Sequence, residues 1–121
     1  MRRIIIIISA LALGACEPPP DPQPRACALA GWCAYDCGQE TAARGWGPEE
    51  YGACHESCRL DMETAGIDPA WVDYAFPING SDLEAPAVVC HNAGVGAWTG
   101  TDRDPLETCD RAILLCEASL Q

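Results

Sequence analysis

The sequence predicts an all-α fold: a small, disulfide-stapled helical domain with long loops. Three observations point there. Cysteines recur at helical spacing, at positions 33 and 37, 54 and 58, and 109 and 116. Prolines stand where helices begin, at Pro48, Pro69, Pro86 and Pro105. No stretch alternates apolar and polar residues strongly enough to argue for a sheet.

The first helix is expected from Ala26 to Ala43, where alanines favour helix and Leu29, Ala30, Cys33 and Cys37 share a face. "ARGWGP" then breaks the pattern. Pro48 opens a second helix, with Glu49 and Glu50 set favourably in its dipole. Its stripe is Tyr51, Cys54, Cys58 and Met62, and Gly66 is the expected stop. "PAWVDYAF" from Pro69 is a short helical piece ended by Pro77, and "PINGSD" is a turn. One or two helical turns are expected from Pro86, capped by Gly94, with "VGAWTGTD" as loop. "DPLETCDRAILLCEASL" is the clearest helix, with Asp104 as N-cap, Pro105 as first residue and Glu107 completing a capping box.

Three segments divide the chain. Met1-Arg2-Arg3 followed by an apolar run to Ala15 has the proportions of a secretory signal peptide, residues 1–15, and is too short for a membrane span. "EPPPDPQPR" places five prolines in nine residues, a semi-rigid polyproline spacer of about 28 Å at about 3.1 Å per residue. Residues 16–25 thus form a tether and 26–121 the cysteine-rich domain. The domain's large apolar residues are few, so its four tryptophans are the expected core filling and disulfides the expected reinforcement.

At the junction, "LGAC" (Leu13 to Cys16) resembles the lipobox of bacterial lipoproteins: an aliphatic residue, two small residues, then cysteine. The resemblance implies that Cys16 is acylated with diacylglycerol and palmitate-type chains and becomes the mature amino terminus, anchoring the protein in the bilayer of the cell envelope. Glu17 leaves inner versus outer membrane open.

Nine cysteines less Cys16 leave an even eight, which in a small exported domain reads as a disulfide framework. Cys33 and Cys37 on one helix and Cys54 and Cys58 on the next lie symmetrically about the Gly45–Trp46 junction. An antiparallel hairpin with rungs Cys33–Cys58 and Cys37–Cys54 follows. Cys109 and Cys116 are then left for Cys27 and Cys90, in either order.

After Cys16 the chain has eighteen carboxylates and five arginines, a net charge of −13 (5 − 18), and lysine is absent throughout. Nucleic acid and bare anionic membrane are poor partners for such a chain, and lysine-based catalysis is excluded. The reading is a binding or structural module for an envelope protein or small ligand, without a cofactor.

A second resemblance offers an alternative. "CDRAILLC" (Cys109 to Cys116) and "HESC" (His55 to Cys58) resemble two motifs of secretory calcium-dependent phospholipases. That resemblance implies a Cys58–Cys109 bridge, a His55/Asp110 dyad deprotonating water for ester hydrolysis, and Glu56 as a ligand of calcium. Two bridges to Cys58 are mutually exclusive, so the scaffolds of the two readings are distinguishable. His55 and His91, each directly after a cysteine, also make a conceivable metal pair; ordinary polar helix positions are the simpler reading.

Overall fold

In the computed structural model, which describes residues 25–77 and 83–119, the chain forms five helices. They are α1 (Ala26–Arg44), α2 (Pro48–Thr64), α3 (Pro69–Ala75), α4 (Pro86–Thr99) and α5 (Pro105–Ser119). No strand occurs among the described residues, so the fold is all-α. The signal peptide, Cys16, most of the tether and the greater part of "PINGSD" lie outside the described residues.

The helix ends follow local chemistry. Glu50 accepts from the Gly47 N–H at 2.8 Å, satisfying one of the orphan donors at the start of α2. At the other end Gly66 (φ 89°) allows a Schellman closure. Its N–H donates to Glu63 O at 3.0 Å, and the Ile67 N–H donates to Met62 O at 3.1 Å. The turn delivers Ile67 to the core, 3% exposed. Asp68 caps α3 through a bond from the Ala70 N–H to its carboxylate at 2.9 Å.

α5 starts at Pro105 with Asp104 in the N-cap position as expected, its carbonyl accepting the Thr108 N–H at 2.9 Å, but the Glu107 arm of the capping box does not form. The Asp104 N–H donates to the Asp102 carboxylate at 3.0 Å, while Glu107 pairs with Arg111 at 2.8 Å. Asp102, two residues upstream, reaches the amide in an Asx turn, and Glu107 takes the cation one helical turn on.

α1 is the central helix. It packs most extensively on α4 and also contacts α2, α3 and α5, while α4 packs on α5. The α1–α4 contact is unusually close. A Cβ built on Gly38 would lie 2.0 Å from His91 O, and one on Gly94 would lie 2.2 Å from Tyr35 O. This corrects the expectation that α4 stops at Gly94 and gives way to loop. α4 runs on to Thr99 and ends at Gly100. Gly94 sits inside the helix because the neighbouring backbone leaves no room for a side chain, and the close packing outweighs its poor helix propensity.

The expected tryptophan core is also corrected. Trp98 is 62% exposed and Trp32 is 37% exposed, while Trp46 and Trp71 are half-buried. Helices that cross at glycine and alanine leave no volume between them for an indole. The largest fully buried side chains are Met62, Val72 and the cysteines 27, 37, 58, 90 and 109, packed among alanines. Disulfides fill the core as well as crosslink it.

The bridges are Cys27–Cys116, Cys33–Cys58, Cys37–Cys54 and Cys90–Cys109. The two hairpin rungs inferred from spacing thus join α1 to α2, and their sulfurs meet at 3.6 Å between Cys37 and Cys58. Of the two open orders for the rest, the structure takes the one that ties the ends of the domain together, α1 to α5 through Cys27–Cys116.

Candidate functional site

Two features stand out on this scaffold: a pair of histidines beside the bridges, and an apolar groove beside the Cys27–Cys116 bridge.

Tyr51, His55 and Arg59 follow one another at four-residue steps on α2, beside the buried stripe of Cys58 and Met62. Arg59 donates to the Phe76 carbonyl and pairs with Asp73, which fixes the end of α3 against α2. Phe76 thereby rests edge-on against His55, ring centres 5.1 Å apart. From the other side α4 brings His91, whose Nδ1 lies 2.9 Å from His55 Nε2. Tyr51 flanks both imidazoles, 5.7 Å from His55 and 5.4 Å from His91 between centres.

The residues just before the histidines hold this arrangement. Cys54 is bonded to Cys37 of α1, and Cys90 to Cys109 of α5. Each imidazole is therefore one residue from a crosslink, on a backbone with little freedom to move. Both are half-buried. Burial first, and then the neighbouring His91, pushes the His55 pKa down to about 4; burial lowers that of His91 as well. Near pH 7 both rings are neutral, and the close N···N contact holds a single proton that either ring can carry.

The phospholipase-like reading assembles differently from what the structure holds. Cys58 is bonded to Cys33 and Cys109 to Cys90, so the implied Cys58–Cys109 bridge is not formed. His55 is bonded to His91, whereas Asp110 is exposed on α5 and no hydrogen bond or ion pair joins it to His55. Glu56 is exposed on α2. The physical reason is the hairpin, which commits Cys58 to α1 and turns the cysteines of α5 toward α1 and α4.

Cys37, Cys54 and Cys58 bring their sulfurs within 4.8 Å of one another, a spacing that suits a metal. All three sulfurs are consumed in disulfides, so no thiolate is there to ligate.

The groove has a volume of about 420 Å³ and lies between the start of α4 and the outer face of α5, with Tyr74 of α3 at its edge. Leu83, Val89, Ala112 and Leu115 make its apolar walls; Glu84, Thr108 and Arg111 supply polar groups. Leu83 is 75% exposed and Leu115 is 66% exposed, so apolar surface is left open to solvent.

Sequence reasoning raised His55 and His91 as a metal pair but preferred ordinary polar helix positions; the structure brings the two rings together. The available signal was the repeated Cys-His dipeptide, because cysteines that bridge into one core carry their neighbours to one side. The groove had no comparable signal, since its walls come from separate helices.

No helix among the described residues is long and apolar enough to cross a membrane. No family model matches the chain, and no curated protein and no solved structure matches it either. Four disulfides suit an oxidising, exported environment.

Proposed function

We propose that the protein is a lipid-anchored binding module of the bacterial cell envelope, tethered through acylated Cys16, whose groove takes up an acyl chain. One observation supports the reading: the groove's wall is bridged to the first turn of α1, just after the proline-rich segment in sequence. Cys116 is part of its wall and is bonded to Cys27, two residues after Arg25, where the proline-rich segment ends. A domain held by a short spacer keeps this end within reach of the bilayer. Apolar walls with a few polar groups suit a chain carrying a polar head, and the volume falls in the range of small-ligand sites.

The scaffold supports binding in preference to conformational work, because two bridges, Cys90–Cys109 between α4 and α5 and Cys27–Cys116 between α5 and α1, hold the groove's helices in place before any ligand arrives. The test has two arms. Cells fed an alkyne fatty acid should label the protein, and Cys16→Ser should abolish the label. Purified protein should bind a fluorescent fatty acid saturably, and Ala112→Trp, which fills the groove, should abolish that binding. Label without fatty-acid uptake would leave the anchor and sink the groove assignment.

A further inference from the structure

We propose that His55 and His91 form a binding site for a divalent transition-metal ion, with Cu²⁺ the best match. The site is separate from the groove and does not depend on the acyl-chain reading.

The argument begins with the spacing. His55 Nε2 and His91 Nδ1 are 2.9 Å apart. Two metal–nitrogen bonds of about 2.0 Å meeting at about 90° place their nitrogens about 2.8 Å apart, the arrangement of a tetragonal ion. A tetrahedral ion with similar bonds asks for about 3.3 Å. The observed separation suits the tetragonal case with almost no movement of α2 or α4.

Ring orientation agrees. A straight N–H···N bond of this length would hold the ring centres about 5.2 Å apart. They are 4.7 Å apart, with the planes at 82°. The ring axes are thus inclined to the N···N line, as ligation of one ion beside that line requires and a straight hydrogen bond does not.

The surroundings narrow the donor set. Each of the eight cysteines among the described residues is in a disulfide, which removes the soft thiolates that would draw Cu⁺ or zinc elsewhere. The chain has two histidines and both are here. Bridges at Cys54 and Cys90 hold the two imidazoles in place, so little ordering is left for the metal to impose. Phe76 closes one side of His55, leaving the remaining coordination positions to water or to a small donor ligand. Among divalent ions of the first row, nitrogen sites rank Cu²⁺ highest.

The experiment uses the tag-free full chain, stripped with EDTA and titrated with Cu²⁺ and, separately, Zn²⁺. We expect one saturable equivalent of Cu²⁺, bound at least tenfold more tightly than Zn²⁺. The electron paramagnetic resonance spectrum should show splitting from two nitrogens. His55→Gln and His91→Gln should each weaken binding at least tenfold and reduce the splitting to one nitrogen. The nitrogen count on the unaltered protein needs no variant, so a folding defect in either substitution does not decide the matter. A spectrum with oxygen donors alone, binding that never saturates, or Zn²⁺ binding as tightly as Cu²⁺ would overturn the proposal.

Discussion

Replacing one glycine at a time by alanine should change stability with opposite signs at different positions, because the close crossing of α1 and α4 leaves room at some glycines and none at others. At Gly52, exposed on α2, an added Cβ meets nothing within 4 Å. Only helix propensity then acts, and Gly52→Ala should stabilise by about 0.5–1 kcal/mol. At Gly31 the new methyl would meet both Cγ1 and Cδ1 of Ile113 at 2.7 Å and the Cys90 sulfur at 3.1 Å. These are side-chain atoms that can shift by a fraction of an ångström where a backbone cannot, so a cost of about 1–2 kcal/mol is partly offset by the propensity gain. At Gly38 the methyl would lie 2.0 Å from a backbone oxygen, that of His91, which no rotamer change can move. The helices must part by more than about 1 Å along their shared face, at the top of the overpacking range, about 3 kcal/mol or beyond. With about 1 kcal/mol returned by propensity, the net loss is at least about 2 kcal/mol.

Urea melts of the oxidised proteins, followed by circular dichroism, read these differences as midpoint shifts. A loss of about 2 kcal/mol is a shift of about 1 M or more at the slopes usual for small domains. The order Gly52, Gly31, Gly38 is the sharp expectation. If Gly38→Ala melted within about 0.5 kcal/mol of the unaltered protein, the backbone-to-backbone crossing described here would be wrong.

Three further outcomes are expected. Both histidines have folded-state pKa values below their unfolded value, His55 at about 4. In metal-free protein the stability they support is therefore full above about pH 6.5 and falls as pH drops toward 4, by on the order of 2 kcal/mol at most once solvent screening of these half-exposed rings is discounted. His55→Gln should flatten that part of the pH–stability curve, and an unchanged slope would contradict the burial argument. Removing Cys37–Cys54 by double alanine substitution should cost about 3 kcal/mol, and removing Cys27–Cys116 about 4–5, because their sequence separations are 17 and 89; equal losses in chemical denaturation would count against the loop-entropy account. Arg59→Ala should cost about 1–3 kcal/mol, since its 12% exposed side chain serves the Phe76 carbonyl, while Asp73→Asn, at a 60% exposed carboxylate, should cost under about 1. Thermal melts of the two variants make that comparison directly.

The hairpin was legible in the sequence because it depends on local rules. Four-residue cysteine spacing puts two sulfurs on one face, and a Gly-Pro break fixes where the chain reverses, so Cys33 and Cys58, and Cys37 and Cys54, had one consistent pairing. Helix starts at Pro48, Pro69, Pro86 and Pro105 were legible for the same reason, since a proline at the first turn loses no hydrogen bond. Gly94 misled because a glycine inside a helix and a glycine ending one look the same until the neighbouring helix is in place. The tryptophans misled because hydrophobicity says that a residue gains from burial and nothing about whether adjacent helices leave it space.

By itself, then, the sequence determined the helical class, the hairpin rungs and the acidic, lysine-free character of the domain. Tertiary structure decided whether Cys27 bonds Cys116 or Cys109, how closely α1 and α4 approach, and that His55 meets His91. The division has a physical cause. Spacing along one helix sets which side chains share a face, whereas contacts between α2 and α4 depend on the crossing of both with α1. That crossing is set by glycine and alanine at the contact, residues whose influence lies in the space they leave.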